Sequence, residues 1–301
     1  MPASHANELI DDLEQLDEVI RLTAIREGSI KPPGGVLMVH TLNRGADKVM
    51  RLADTIREHG QVSISTHELT SIVDPEHHDK VSNDVDEALW EEAETGLRHQ
   101  SRITSNYLAL MALGGTIATT ALVVESETQQ AMAIVAASIV APGFEPLAKM
   151  AMGLALRRWD VARRDLQSAV AGYPVLALSA ALVFLALLLA GVSTIEEFVG
   201  NTEVETLVHP TLREMFLSAS GAVVGVIMMT SYRLYLIPGA LIALEIIEAA
   251  AMIGMALVAG EAGLIYGGLG RVGLDVLFIV VGGGLVVLLK QALFHRRSPI
   301  V

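Results

Sequence analysis

The spacing of apolar residues changes near residue 100. Before it they are scattered singly among charges; after it they run together in long blocks, at 103–124, 130–156, 173–192, 215–231, 237–259 and 272–289. A hydrocarbon core about 30 Å thick is crossed by ~20 apolar residues at 1.5 Å each. One such block can be a buried helix of a soluble protein. Six in succession predict a mainly α, polytopic membrane bundle of about six helices over 101–301, closed on one side by the polar stretch 193–214.

Residues 1–100 read differently. Leu9, Leu13, Leu16 and Ile20 recur at helical spacing, and the opposite face is acidic (Asp11, Asp12, Glu14, Asp17, Glu18). Anionic lipid repels such a face, so a cytoplasmic protein partner suits it better than a membrane surface. Lys31-Pro32-Pro33-Gly34-Gly35 is expected to break the helix as a linker. Residues 36–42 are rich in β-formers. Asn43 then caps a helix running to His59, with Val49, Leu52, Ala53 and Ile56 on one face. Residues 61–65 alternate as a second strand, with a continuation through 69–73. The pattern predicts a strand–helix–strand unit, a small N-terminal α+β module. So few strands bury little apolar surface, so pairing with other subunits or with the first helix is expected. A polar helix over 75–100, with Val81, Val85, Leu89 and Trp90 on its apolar face, leads into the first span.

Composition sharpens the division. The chain is 52% apolar with a net charge of −13 and a mean hydropathy of +0.49. Residues 1–100 hold 20 Asp and Glu against 9 Lys and Arg, whereas 101–301 hold 14 against 12. The first part faces water and the second lipid. No cysteine is present, which excludes disulfides and thiolate metal sites. The N-terminus carries no basic and apolar leader pattern, so the first span is expected to direct insertion. Near the span ends, Arg98, Arg102, Arg157, Arg158, Arg163, Arg164, Arg233, Lys290, Arg296 and Arg297 fall on one side, Arg213 and Arg271 on the other. This bias predicts a multi-pass protein of the inner (plasma) membrane with both termini cytoplasmic.

Candidate chemistry concentrates in the second and fifth blocks. In the second, Pro142, Gly143 and Pro146 interrupt the helix, each proline deleting a backbone hydrogen bond. Free backbone groups at membrane depth require a protein or water-filled surrounding. Glu145 and Lys149 lie at the same break, i,i+4 apart on one face. A charge at the bilayer centre costs about 2.5–3.5 kcal/mol on insertion scales. Either the two neutralise each other inside the bundle or they belong to a pathway, with Phe144 and the backbone of the break supplying further ligands. In the fifth block Glu245 and Glu248 share a face with no base nearby in sequence, suited to carrying a proton, binding a cation, or hydrogen bonding neighbouring helices as protonated acids.

Other motifs are weaker. His67, His77 and His78 lie near Glu68, Asp74, Glu76 and Asp79, but their spacing matches no ligand pattern, and a solvated loop is the favoured reading; no metal site is assigned. The helix start at Asn43-Arg44-Gly45 can hold an anion on free N–H groups, although a plain N-cap accounts for it. No catalytic set or phosphate loop appears. Gly267-Gly268-Leu269-Gly270 and Gly282-Gly283-Gly284 lack a strand–turn–helix context and are read as helix-packing positions, as is Gly221-xxx-Gly225. Neither an enzyme, a cofactor nor a nucleic-acid partner is expected.

Ala136-Ala137-Ser138-Ile139-Val140-Ala141-Pro142-Gly143-Phe144-Glu145-Pro146, followed by Gly153 and Arg157-Arg158-Trp159, resembles a prokaryotic, uncharacterised hydrophobic-domain membrane protein family (domain of unknown function 389). Ile237-Pro238-Gly239-Ala240-Leu241-Ile242-Ala243 is similar to the family's second segment, without the prolines that usually follow it. The resemblance covers roughly 100–292 and implies a membrane protein without an assigned activity. Shifted by 103 residues, Glu145 meets Glu248, and spans one to three and four to six start on opposite sides. A 3+3 inverted repeat around broken helices is a transporter arrangement. The residues therefore point to a transporter or channel for a small solute or ion, in a homo-oligomer. A membrane-embedded sensor or scaffold with a partner-binding cytoplasmic module is the alternative.

Overall fold

The structure, a computed structural model, describes residues 3–31, 33–57, 62–67, 74–124, 126–231, 245–295 and 299. Two compact units divide the chain: 1–93 together with 290–301, and 94–289.

In the first unit, α1 (Ala3–Glu14) is followed by an antiparallel hairpin of β1 (Val19–Ile30) and β2 (Pro33–Thr41), then by α2 (Asn43–Arg57). Leu22 lies opposite Val39 and Ala24 opposite Leu37. The helix expected to reach Ile20 thus stops at Glu14, and Ile20 opens a strand. Lys31 lies at the hairpin turn and Pro33, Gly34 and Gly35 begin β2 rather than a linker; Pro32 lies outside the described residues. Val19 to Ile25 is rich in β-branched residues, and pairing with the equally β-prone 36–41 outweighs the helical spacing of the leucines. Leu9, Leu13 and Ile56 centre the core, with Leu22, Leu37, Val39 and Leu52 packed around them. Residues 62–67 form no strand; 61 and 68–73 of the second expected strand lie outside the described residues.

The expected helix over 75–100 is two pieces, α3 (His78–Ser82) and α4 (Trp90–Ser101). The stretch between them is tied to α2. Asp84 accepts hydrogen bonds from the backbone N–H of Asn43 at 2.5 Å and of Arg44 at 3.4 Å, and the Asn43 side-chain amide donates to the Val85 carbonyl at 2.8 Å. The anion at this helix start is therefore the chain's own Asp84. C-terminal residues complete the unit: Lys290 pairs with Glu87 at 2.6 Å, Trp90 donates to Gln291 at 2.6 Å, and His295 meets Asp47 at 2.9 Å.

The second unit is helical: α5 (Ser105–Val123), α6 (Glu127–Val140), α7 (Phe144–Ala155), α8 (Trp159–Leu189), α9 (Ile195–Val199), α10 (Thr202–Val208), α11 (Leu212–Met229) and α12 (Ile246–Ala259). The last helix, α13 (Ala262–Leu293), contains a π-helical turn at Ile279–Gly283. Among the described residues four helices (α5, α8, α11 and α13) are long and apolar enough to cross a membrane, or five if α6 and α7, bent by 50°, count as one span. The count of about six is corrected accordingly. The described part of the fifth block, α12, has only 14 residues, about 21 Å of helix against a 30 Å core; 232–244 lie outside the described residues.

On α8 the residues Leu178, Leu182, Leu185 and Leu189 point outward at 41–82% exposure. An apolar stripe of this extent is costly in water and suits a hydrocarbon surrounding. Inside, glycines set the helix contacts. A Cβ on Gly254 would fall 1.9 Å from the Ala177 carbonyl oxygen, and one on Gly115 2.3 Å from that of Leu176. Gly225 touches the Phe144 ring, so this part of the Gly221–Gly225 face is occupied within the chain. The packing is reciprocal. The short helix α7 lies against α8 and α13, and the short helix α12 lies against the same two.

Candidate functional site

The site grows from the break between α6 and α7. Pro142 has no N–H, so the ladder of α6 ends with the bond from Ala141 N–H to the Ala137 carbonyl, and Gly143 N–H turns back to the Ala141 carbonyl at 2.8 Å. Pro146 acts differently from expectation. It sits in the first turn of α7, where N–H groups have no intrahelical partner. Only Pro142 breaks the helix; Pro146 is compatible with starting the next one.

Gly143 is needed for a close approach. A Cβ there would lie 2.7 Å from Ile247 Cδ1 at the start of α12 and 3.0 Å from the Tyr173 hydroxyl oxygen. Tyr173, on α8, donates its hydroxyl to the Gly143 carbonyl at 3.1 Å, taking up an acceptor released by the break. Gly143, which precedes α7, therefore approaches Ile247 in the first turn of α12, and the first turn of each helix carries a buried carboxylate: Glu145 at 7% exposure and Glu248 at 0%. Phe144 is buried against Gly225 of α11 and fixes the start of α7.

The charge pairing departs from the sequence pattern. Lys149 lies 3.5 Å from Asp165 on α8, not on Glu145, and donates to Ser101 at 3.5 Å. Glu245 and Glu248 are likewise split. Glu245 lies 3.1 Å from Arg271, which also reaches Asp275 at 3.5 Å and donates to Ser218 at 2.5 Å. Arg271, counted by sequence among the outer-loop charges, is fully buried inside α13. Glu248 meets Ser138 of α6 at 3.0 Å. Tyr107 donates to the Ser168 carbonyl at 2.9 Å, and Tyr173 is within electrostatic reach of Glu145, Glu248 and Asp275.

Asp165, Ser138, Ser218, Arg271 and Asp275 were missed by sequence reasoning. The i,i+4 spacing of Arg271 and Asp275 was a usable signal, obscured because Arg271 stood just before the expected sixth block and was counted with the outer-side charges. The turn is instead confined to Gly260, in the left-handed conformation at φ 77°, and Glu261, and the glycines continue as helix.

Among the described residues the interior thus holds Glu145, Asp165, Glu245, Glu248 and Asp275 against Lys149 and Arg271. The two bases engage three of the acids. Among the described residues Glu145 and Glu248 face no base within ion-pair distance; Oε2 of each has no hydrogen bond there, as is also true of Asp165 Oδ2, Glu245 Oε2 and both carboxyl oxygens of Asp275. At the surface of the first unit, His77 pairs with Asp74 at 3.1 Å, which holds the Asp74 carboxyl below its ordinary value. No group of three metal-ligating side chains gathers among the described residues; Glu68 lies outside them.

A family model, Domain of unknown function (DUF389), matches residues 138–281. The matched stretch is similar to this family and runs from Ser138 to the π-helical turn. It contains all the interior charges above; Ser101 and Tyr107 lie before it. No curated protein and no solved structure matches the chain.

Proposed function

We propose that the chain is an integral membrane transporter or channel for a small solute or ion, with its site at the starts of α7 and α12. The observation that carries this reading is the surplus of buried carboxylates at two helix starts that approach each other at Gly143 and Ile247. A membrane anchor has no use for such groups, and burying them is costly. Pro142, Gly143, Phe144, Glu145, Pro146, Lys149, Glu245 and Glu248 make up the site, with Lys149 and Glu245 held in place by Asp165 and Arg271. Short helices that start at membrane depth leave first-turn N–H groups without intrahelical partners, a feature by which secondary transporters hold substrates. The reciprocal packing of α7 and α12 on α8 and α13 fits an inverted repeat. The assembly is a homo-oligomer in the plasma membrane with both termini cytoplasmic, and its acidic module is free to bind a protein partner.

Flux in proteoliposomes across a panel of inorganic ions and small organic solutes tests the reading. Wild-type vesicles should move at least one member faster than protein-free vesicles, and Glu248→Gln vesicles, with an unchanged melting temperature, should not. No movement across the panel, or equal movement by the folded variant, refutes it. The mass of the detergent-solubilised particle tests the assembly; a single-chain mass refutes it.

A further inference from the structure

We infer that Glu145 and Glu248 are proton-binding residues of this site, each taking up and releasing a proton. The inference rests on the transport reading only for its place in a transport cycle.

Lys149 is engaged by Asp165, and Arg271 by Glu245 and Asp275. Tyr107 of α5 and Tyr173 of α8 lie within electrostatic reach of Glu145, and Lys149, paired with Asp165 of α8, follows one turn along its own helix. Around Glu248 stand Tyr173 of α8, Glu245 of its own helix and Glu203 of α10, with Arg271 and Asp275 of α13 beyond. The groups nearest the two carboxyls are therefore neutral, acidic or already engaged. An ionised carboxylate buried without a partner is far more costly than the neutral acid, and a proton neutralises each where it stands.

Ser138 Oγ lies 3.0 Å from the Ile134 carbonyl and 3.0 Å from Glu248 Oε1. A hydroxyl has one proton to give. When it is given to the Ile134 carbonyl, an acceptor only, the contact with Glu248 is a hydrogen bond only if Glu248 supplies the proton. When Glu248 is ionised, the serine turns its proton toward the carboxylate and leaves the carbonyl. Ser138 is thus built to satisfy both states of Glu248. Both carboxyls sit in the first turn of a helix, where unpaired N–H groups and the helix dipole stabilise the anion for the interval in which the proton is away.

The test uses the full chain in lipid vesicles and the hydrophobic reagent dicyclohexylcarbodiimide, which reacts with protonated carboxyls, with peptide mass spectrometry as readout. Modification of both Glu145 and Glu248, falling as pH is raised, is expected, with Asp165 and Glu245 spared. Infrared spectra of the wild type should show a carboxylic-acid band that bleaches over the same pH range. Loss of part of that band in Glu145→Gln and in Glu248→Gln assigns it. Modification at only one residue or neither, or the same modification at every pH, overturns the inference. The labelling does not depend on flux: labelled carboxyls without flux remove the transport reading alone, and flux without labelled carboxyls removes the proton reading alone.

Discussion

Replacement of Lys149 by Met separates two accounts of the buried charges. Lys149 and Asp165 are 3.5 Å apart with side chains only 3% and 2% exposed. At an effective dielectric of about 20 their attraction is about 5 kcal/mol, most of it offset in the folded protein by the cost of desolvating both. Removing one partner leaves that cost without the attraction, which typically destabilises by about 3–5 kcal/mol. Lys149→Met should therefore lower stability by about that amount, and Asp165→Asn added to it should recover most of the loss. The i,i+4 spacing in sequence makes the opposite forecast, that Glu145→Gln is the rescuing change. Equilibrium unfolding in mixed lipid–detergent micelles, run as double-mutant cycles for both pairs, measures the two coupling energies. Coupling of Lys149 to Glu145 larger than to Asp165, or a loss below about 1 kcal/mol for the single change, would refute the assignment.

Further outcomes follow from other parts of the molecule. Gly254→Ala should prevent α12 from seating on α8, because its Cβ would lie 1.9 Å from a backbone oxygen; a loss of more than about 3 kcal/mol is expected, beyond ordinary overpacking. Gly270→Ala, with nothing within 4 Å of its Cβ, should instead stabilise by about 0.5–1 kcal/mol, and thermal melts of the pair decide the matter. In the first unit, Lys48 donates to Glu18 at 2.5 Å and holds its carboxyl below the ordinary 4.5. A depressed carboxyl contributes stability above its unfolded value and loses it as pH falls through the folded one. Protease resistance of the module should therefore drop on acidification below about pH 4.5, and Lys48→Met should flatten the drop; an unaltered profile counts against the pair. Cysteines placed at Ser82 and Thr202 should label from opposite faces of sealed vesicles; labelling from the same face refutes the topology.

The break at Pro142, the burial of Glu145 and Glu248, and the apolar lengths of α5, α8 and α11 were legible in the sequence. Each follows from local chemistry: a missing N–H, a charge inside an apolar run, a block long enough to cross a bilayer. The small hairpin was not. Leu9, Leu13, Leu16 and Ile20 carry a helical period, and only the partner strand 36–41 turned Ile20 into a strand residue. The charge partners also escaped. Glu145 and Lys149 share a helix, but Lys149 is claimed by Asp165 across the interface with α8, and Glu245 and Glu248 are drawn apart by Arg271 and Ser138. Spacing along a chain fixes which residues face the same way, since helical geometry is local. Which of them meet is settled by how closely the helices approach, and here that depends on glycines such as Gly143, Gly115 and Gly254 whose neighbours lie far away in sequence.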